Sequence, residues 1–169
     1  MVPDWSPDGS RLAYNGKLGD KSGLIVANAD GSNKRFIAHL GSTNAPLPST
    51  GRTFDWSPDS ARLVFVDAQP GPETKDVDND PIVITRYLYK PDDSEGNSRL
   101  NDNKRLHLFL ADLASGTVSQ LTSGTHYEHS VQWSPKGDHS VAVNDKNQQT
   151  KDGNKTSLFL GELNENKKK

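Results

Sequence analysis

A ten-residue phrase built on Trp-Ser-Pro occurs three times in this chain, and no other feature restricts its fold as much. It reads Trp5-Ser6-Pro7-Asp8-Gly9-Ser10-Arg11-Leu12-Ala13-Tyr14 and then Trp56-Ser57-Pro58-Asp59-Ser60-Ala61-Arg62-Leu63-Val64-Phe65. The third copy is looser: Trp133-Ser134-Pro135-Lys136-Gly137-Asp138-His139-Ser140-Val141-Ala142. Every tryptophan of the protein lies in this phrase. Proline pre-sets φ for the second position of a type I turn, aspartate tolerates the next, and glycine accepts a positive φ after it. Gly9 and Gly137 supply that glycine, whereas the middle copy has Ser60. The apolar runs downstream of the turns are short and nearly unbroken, as in strands covered on both faces. The phrase therefore predicts a hairpin, with one strand ending at the Trp and the next beginning after the Arg.

A second hairpin comes after the first. Gly23-Leu24-Ile25-Val26-Ala27-Asn28 runs through Ala29-Asp30-Gly31 to Lys34-Arg35-Phe36-Ile37-Ala38. Its counterpart, Leu106-His107-Leu108-Phe109-Leu110-Ala111-Asp112-Leu113, turns at Ala114-Ser115-Gly116 into Thr117-Val118-Ser119-Gln120-Leu121-Thr122. A third begins at Ser157-Leu158-Phe159-Leu160-Gly161-Glu162-Leu163. Two hairpins per unit make four antiparallel strands, the pattern of a propeller blade. The expected fold is all-β: a partial β-propeller of about three four-stranded antiparallel blades. An immunoglobulin-like sandwich would require the threefold repetition to be coincidental.

The repeat divides one propeller segment, 1–169, into blade one at about 1–50, blade two at about 51–124 and blade three at about 125–169. The first strand of blade one is expected to be cut short, and the outermost strand of blade three missing or degenerate. Blade two carries about 35 residues beyond the ~40–45 of an ordinary blade. That surplus is placed as an insertion over 68–104, between its second and third strands. It holds the acidic run Asp76-Val77-Asp78-Asn79-Asp80 and a strand-like Pro81-Ile82-Val83-Ile84-Thr85-Arg86-Tyr87-Leu88-Tyr89. In a four-stranded meander the Ser-Pro turns lie at one face of the disc. The insertion and the link Gly124-Thr125-His126-Tyr127-Glu128-His129 lie at the other. Long loops on a rigid scaffold are where function concentrates, so that face is expected to meet a partner.

Composition narrows the chemistry. Only 31% of the residues are hydrophobic and 25% are charged, so each thin blade relies on its neighbours to bury both faces. A net charge of −2 supplies no basic field for nucleic acid. There are no cysteines, hence no disulfide and no thiolate metal site. No apolar run reaches the length of a membrane span, and no charged-then-apolar leader opens the chain. The compartment stays open, with a slight lean to the cytoplasm.

The Trp-Ser-Pro-Asp-Gly hairpin resembles the TolB-like propeller repeat, shared by TolB proteins and by propellers of the prolyl oligopeptidase family of serine peptidases. The stretch from Asp76 to Tyr87, with Lys104–Leu113 and Gln120-Leu121-Thr122-Ser123-Gly124 after it, is similar to acylaminoacyl-peptidase propellers. The resemblance implies a propeller that covers an α/β-hydrolase domain and restricts entry to peptides. These 169 residues depart from it in holding no Gly-x-Ser-x-Gly nucleophile elbow, and no second domain is expected within them. No catalytic residue is therefore carried over, and the chain alone is expected to lack peptidase activity.

Other constellations have plainer readings. Asp76, Asp78 and Asp80 have calcium-loop spacing, but Pro81 and Tyr87 stand where glycine and glutamate are needed, so a solvated turn is expected. His126 and His129 flank Glu128 on a linker without a helix to align them, so no zinc site is expected. No cofactor is implied. Arg86, Tyr87, Tyr89, His126, Tyr127 and His129 are the candidates for contact with a peptide or protein partner, a hydrolase domain among them. Trp5, Pro7, Asp8, Trp56, Pro58, Asp59, Trp133 and Pro135 are assigned to the structural repeat. Raw blade edges also invite self-association that completes a ring.

Overall fold

The computed structural model describes residues 3–40, 53–70, 104–124, 127–137, 139–145 and 156–162. Among these residues the chain forms eleven strands and no helix. Strands β1 (Asp4–Trp5), β2 (Arg11–Leu18), β3 (Lys21–Asn28) and β4 (Arg35–His39) make one antiparallel sheet in sequential order. Strands β5 (Phe54–Trp56), β6 (Arg62–Pro70), β7 (Lys104–Asp112) and β8 (Val118–Gln120) make a second in the same order. Strands β9 (Tyr127–Trp133), β10 (His139–Asp145) and β11 (Thr156–Glu162) make a three-stranded third. The arrangement is that of a partial propeller, one sheet per Trp-Ser-Pro phrase.

Each phrase turns where its residues dictate. The N–H of Gly9 donates to the Ser6 carbonyl, and the N–H of Ser60 to that of Ser57. Gly137 donates likewise to Ser134. The closing residue takes a left-handed conformation each time, φ being 69° at Gly9, 61° at Ser60 and 74° at Gly137. Contrary to expectation, the second strand begins at the Arg itself. The reason is that Arg11 and Arg62 are already paired: each carbonyl accepts from the N–H of its Ser, and each N–H donates to that Ser Oγ.

Alternation along β6 assigns its two faces. Leu63 and Phe65 pack with Ala13, Leu24, Val26 and Trp56 in the seam between blades one and two. Val64 and Val66 pack with Leu108, Val131 and Trp133 in the seam between blades two and three. All four are buried, so the stretch 63–66 of β6 is apolar without interruption. Phe65 and Phe109 face each other across the β6–β7 ladder, their rings stacked with centroids 5.6 Å apart. Burying a side chain of this size is worth about 1.5–3 kcal/mol. In blade one the second strand buries Ala13 alone, and its apolar character is correspondingly weaker.

The tryptophans record the same gradient. Trp56 and Trp133 are 4% and 6% exposed, whereas Trp5 is 54% exposed. Each buried Trp lies against the blade before its own. Among the described residues nothing covers Trp5 in that way.

Candidate functional site at the seams and the insertion edge

The Ser-Pro turns are held by a repeated side-chain lock. Ser6 Oγ donates to Asp8 Oδ1 at 2.6 Å, and Ser57 Oγ to Asp59 Oδ1 at 2.5 Å. Asp8 also accepts from the Ser10 N–H and hydroxyl, and Asp59 from the Ala61 N–H. The Ser6 hydroxyl, with the Ser10 groups, holds the Asp8 carboxyl well below the usual range. The Ser57 hydroxyl acts similarly on Asp59, with Arg62 at 3.6 Å as a minor contributor. The conformation that sequence assigns to turn-forming Asp is thus fixed by its ionised form.

These turns also join the blades. Arg11 Nη2 donates to the Ser60 carbonyl at 2.8 Å, and its guanidinium lies over the Trp56 ring, 5.7 Å from the centroid. Arg62 repeats the stacking on Trp133 at 5.3 Å. Such cation–π contacts are worth roughly 0.5–2 kcal/mol each. Trp56 Nε1 donates to the Asp4 carbonyl at 3.2 Å, and Asp55 Oδ2 accepts from the Trp133 N–H at 2.8 Å. A Cβ added at Gly137 would lie 3.4 Å from Pro58 Cδ, so successive turns nest. Trp5, Pro7, Asp8, Trp56, Pro58, Asp59, Trp133 and Pro135 all lie in or beside these three turns.

The opposite edge differs between blades. In blade one the β2–β3 ladder closes at Leu18↔Lys21 through a two-residue turn. In blade two the β6–β7 ladder runs without a break from Arg62↔Asp112 to Pro70↔Lys104 and leaves 71–103 attached at that edge. Residues 68–70 and 104, assigned to the insertion by sequence, are strand. Arg86, Tyr87, Tyr89 and the Asp76, Asp78, Asp80 run lie outside the described residues, as does His126. Tyr127 and His129 belong to β9, but only their backbone is described.

Glu128, read from sequence only as a neighbour of two histidines, has a defined role. Its Oε2 lies 2.9 Å from His107 Nδ1, both side chains being buried. The pair bridges β7 of blade two and β9 of blade three. The available signal was parity: a polar residue inside an apolar strand, at His107, needs a buried partner. Among the described residues no cluster of three or more His, Cys, Asp or Glu could hold a metal ion.

No protein-family model matches the chain, and no curated protein does. Solved structures do. A Pyrococcus horikoshii acylaminoacyl peptidase is 18% identical, with a TM-score of 0.66 over 96% of this chain and 23% of that one. A putative TolB from Agrobacterium tumefaciens is 16% identical, with a TM-score of 0.57 over 94% of this chain and 41% of that one. The β-propeller domain of the trilobed protease from Pyrococcus furiosus is 15% identical, with a TM-score of 0.54 over 96% and 40%. The chain thus spans about a quarter of the peptidase and two fifths of the other two. It carries the fold of a TolB-like propeller, in the form also seen in peptidases of the acylaminoacyl-peptidase kind.

Proposed function

We infer that this chain is a non-catalytic propeller element that docks a peptide or protein partner, such as a hydrolase domain, on the face bearing residues 71–103. The observation that supports this is the contrast between the two hairpin edges. Blade one closes in two residues, whereas blade two extends a continuous nine-residue ladder to carry a long segment at the same position. Such a segment on a rigid ladder is built for recognition. The likeness to peptidases that are much longer than this chain supports a role beside a hydrolase rather than as one.

The test replaces residues 71–103 with Asp-Gly, a two-residue turn that suits a hairpin. Parent and shortened chains are compared on an immobilised peptide array and by thermal melting. The expected result is loss of peptide capture with an unchanged melting temperature. Equal capture by both chains, or none by either, overturns the reading. Turnover of blocked-peptide or ester substrates by the chain alone would refute its non-catalytic part.

The exposure of Trp5 favours a second reading, in which the chain closes a ring with another copy of itself. Two copies of three blades give six, within the four to eight blades of known propellers. Light scattering decides, because a clean monomer removes this reading.

A further inference from the structure

Between blades one and two, beside the Ser-Pro turns, lies a cavity of about 120 Å³. It is at the end of the sheets opposite Pro70 and Lys104, so this proposal is independent of the docking reading. Arg11 and Arg35 both line it, with Asn28 and Asn33, over an apolar wall that includes Ile37 and Leu113. No acidic side chain is among the described residues that line it.

Each guanidinium is anchored by a different backbone carbonyl of blade two. Arg11 Nη2 reaches Ser60 O at 2.8 Å, and Arg35 Nη1 reaches Leu113 O at 3.2 Å. A guanidinium has five N–H donors, so each keeps several for another acceptor. Arg62, the counterpart of Arg11 in blade two, has Asp59 Oδ2 at 3.6 Å. Among the described residues, neither Arg11 nor Arg35 forms an ion pair with a carboxylate. Asp8, the acidic neighbour of Arg11, is turned towards the hydroxyls of Ser6 and Ser10. Two positioned cations thus line a small cavity of mixed polar and apolar walls, and neither is ion-paired with a described carboxylate.

We propose that this cavity binds a carboxylate carried on a small apolar group. The planar carboxylate meets the two guanidinium forks, which match it bidentately, and the apolar group lies against Ile37 and Leu113. The same chemistry is offered by a free branched-chain acid and by the last residue of a peptide.

Four probes are titrated by calorimetry into the full 169-residue chain: isovalerate, acetyl-Gly-Val, acetyl-Gly-Val-amide and inorganic phosphate. Trp56 emission gives a second signal, since Arg11 lies over its ring. Saturable binding of isovalerate or acetyl-Gly-Val, with the amide at least about tenfold weaker, is the expected result. Preference for isovalerate assigns the site to free acids, and preference for acetyl-Gly-Val to peptide termini. Arg35→Gln should weaken binding about tenfold and Arg35→Lys less, both with only a small change in melting temperature, because the exposed Arg35 gives up a single hydrogen bond, to the Leu113 carbonyl. Phosphate binding as tightly as the acids, equal binding of the amide, or no saturation by about 10 mM overturns the proposal. So does undiminished binding by Arg35→Gln.

Discussion

The backbone N–H of Asp8 donates to the hydroxyl of Ser60, 3.1 Å away across the seam between blades one and two. Ser60 holds this position with a φ of 61°, a conformation its counterparts meet with glycine, and it is 1% exposed. The same residue offers its carbonyl to Arg11. What reads in sequence as a lapse in the repeat is a clamp, and it accepts local strain to make the inter-blade bond.

Ser60→Ala keeps the left-handed strain and removes the acceptor for the Asp8 N–H. It should destabilise the fold by about 1–2 kcal/mol. Ser60→Gly loses the same bond but relieves strain of order 1 kcal/mol, and should cost clearly less. Urea denaturation of the three chains decides, and a glycine variant weaker than the alanine one would sink the clamp argument.

The tryptophans should differ sharply despite their identical motif. Trp56→Ala removes a ring that is 4% exposed and should cost about 3–5 kcal/mol. Trp5→Ala, at 54% exposure in the isolated chain, should cost less than about 1 kcal/mol. Phenylalanine separates the indole N–H from the ring. Trp56→Phe loses the bond to Asp4 O, about 1 kcal/mol. Trp133 Nε1 is buried without a hydrogen-bond acceptor among the described residues, so Trp133→Phe should be better tolerated. Melting curves of the two Phe variants make the comparison.

Legibility in the sequence depends on which residues carry local signals. Trp-Ser-Pro-Asp-Gly and Asp-Gly state their turns through φ preferences that act within four residues, so the strands and their order could be read. Ser60, Arg11 and His107 act across seams, on partners some 20 to 50 positions away. Their sequence trace is one polar residue where the pattern wants another type, which reveals a need without naming the partner. The exposure of Trp5 was half legible, since only four residues precede it in this sequence. Of the residues singled out for partner contact, Tyr127 and His129 are placed by backbone only, and Arg86, Tyr87, Tyr89 and His126 lie outside the described residues.

The His107–Glu128 pair should resist single substitution more than double. Truncating Glu128 to Ala leaves the buried His107 ring without this acceptor, at a cost of about 3 kcal/mol. His107→Leu with Glu128→Leu should cost less than the sum of the two single changes. A double-mutant cycle by denaturant unfolding measures the difference, and additivity would show that the contact carries no coupling.

Acid should loosen the seams through the turns. Asp8, Asp30, Asp59 and Asp112 all titrate below the ordinary 3.8 in the fold. Ser hydroxyls and backbone N–H groups that stabilise the ionised forms are the cause. A depressed carboxyl contributes stability that is present above its unfolded value and lost as pH falls through its folded one. The melting temperature should therefore hold down to roughly pH 5 and decline below about pH 4. Asp59→Asn should flatten that decline slightly, since the group is largely solvated and its effect is screened. An unchanged profile would count against the turns as the acid-sensitive element.

The stacking of Arg11 on Trp56 and of Arg62 on Trp133 gives the array a direction. Trp5 stands at one end of that series without an arginine stacked on it among the described residues, whereas the third phrase has His139 where Arg11 and Arg62 stand, so the two ends differ. Were copies to join end to end, as the second reading has it, unlike surfaces would meet at each junction, a heterologous contact. The rotation from one leaf to the next then determines whether such joining comes back on itself or runs on as a filament.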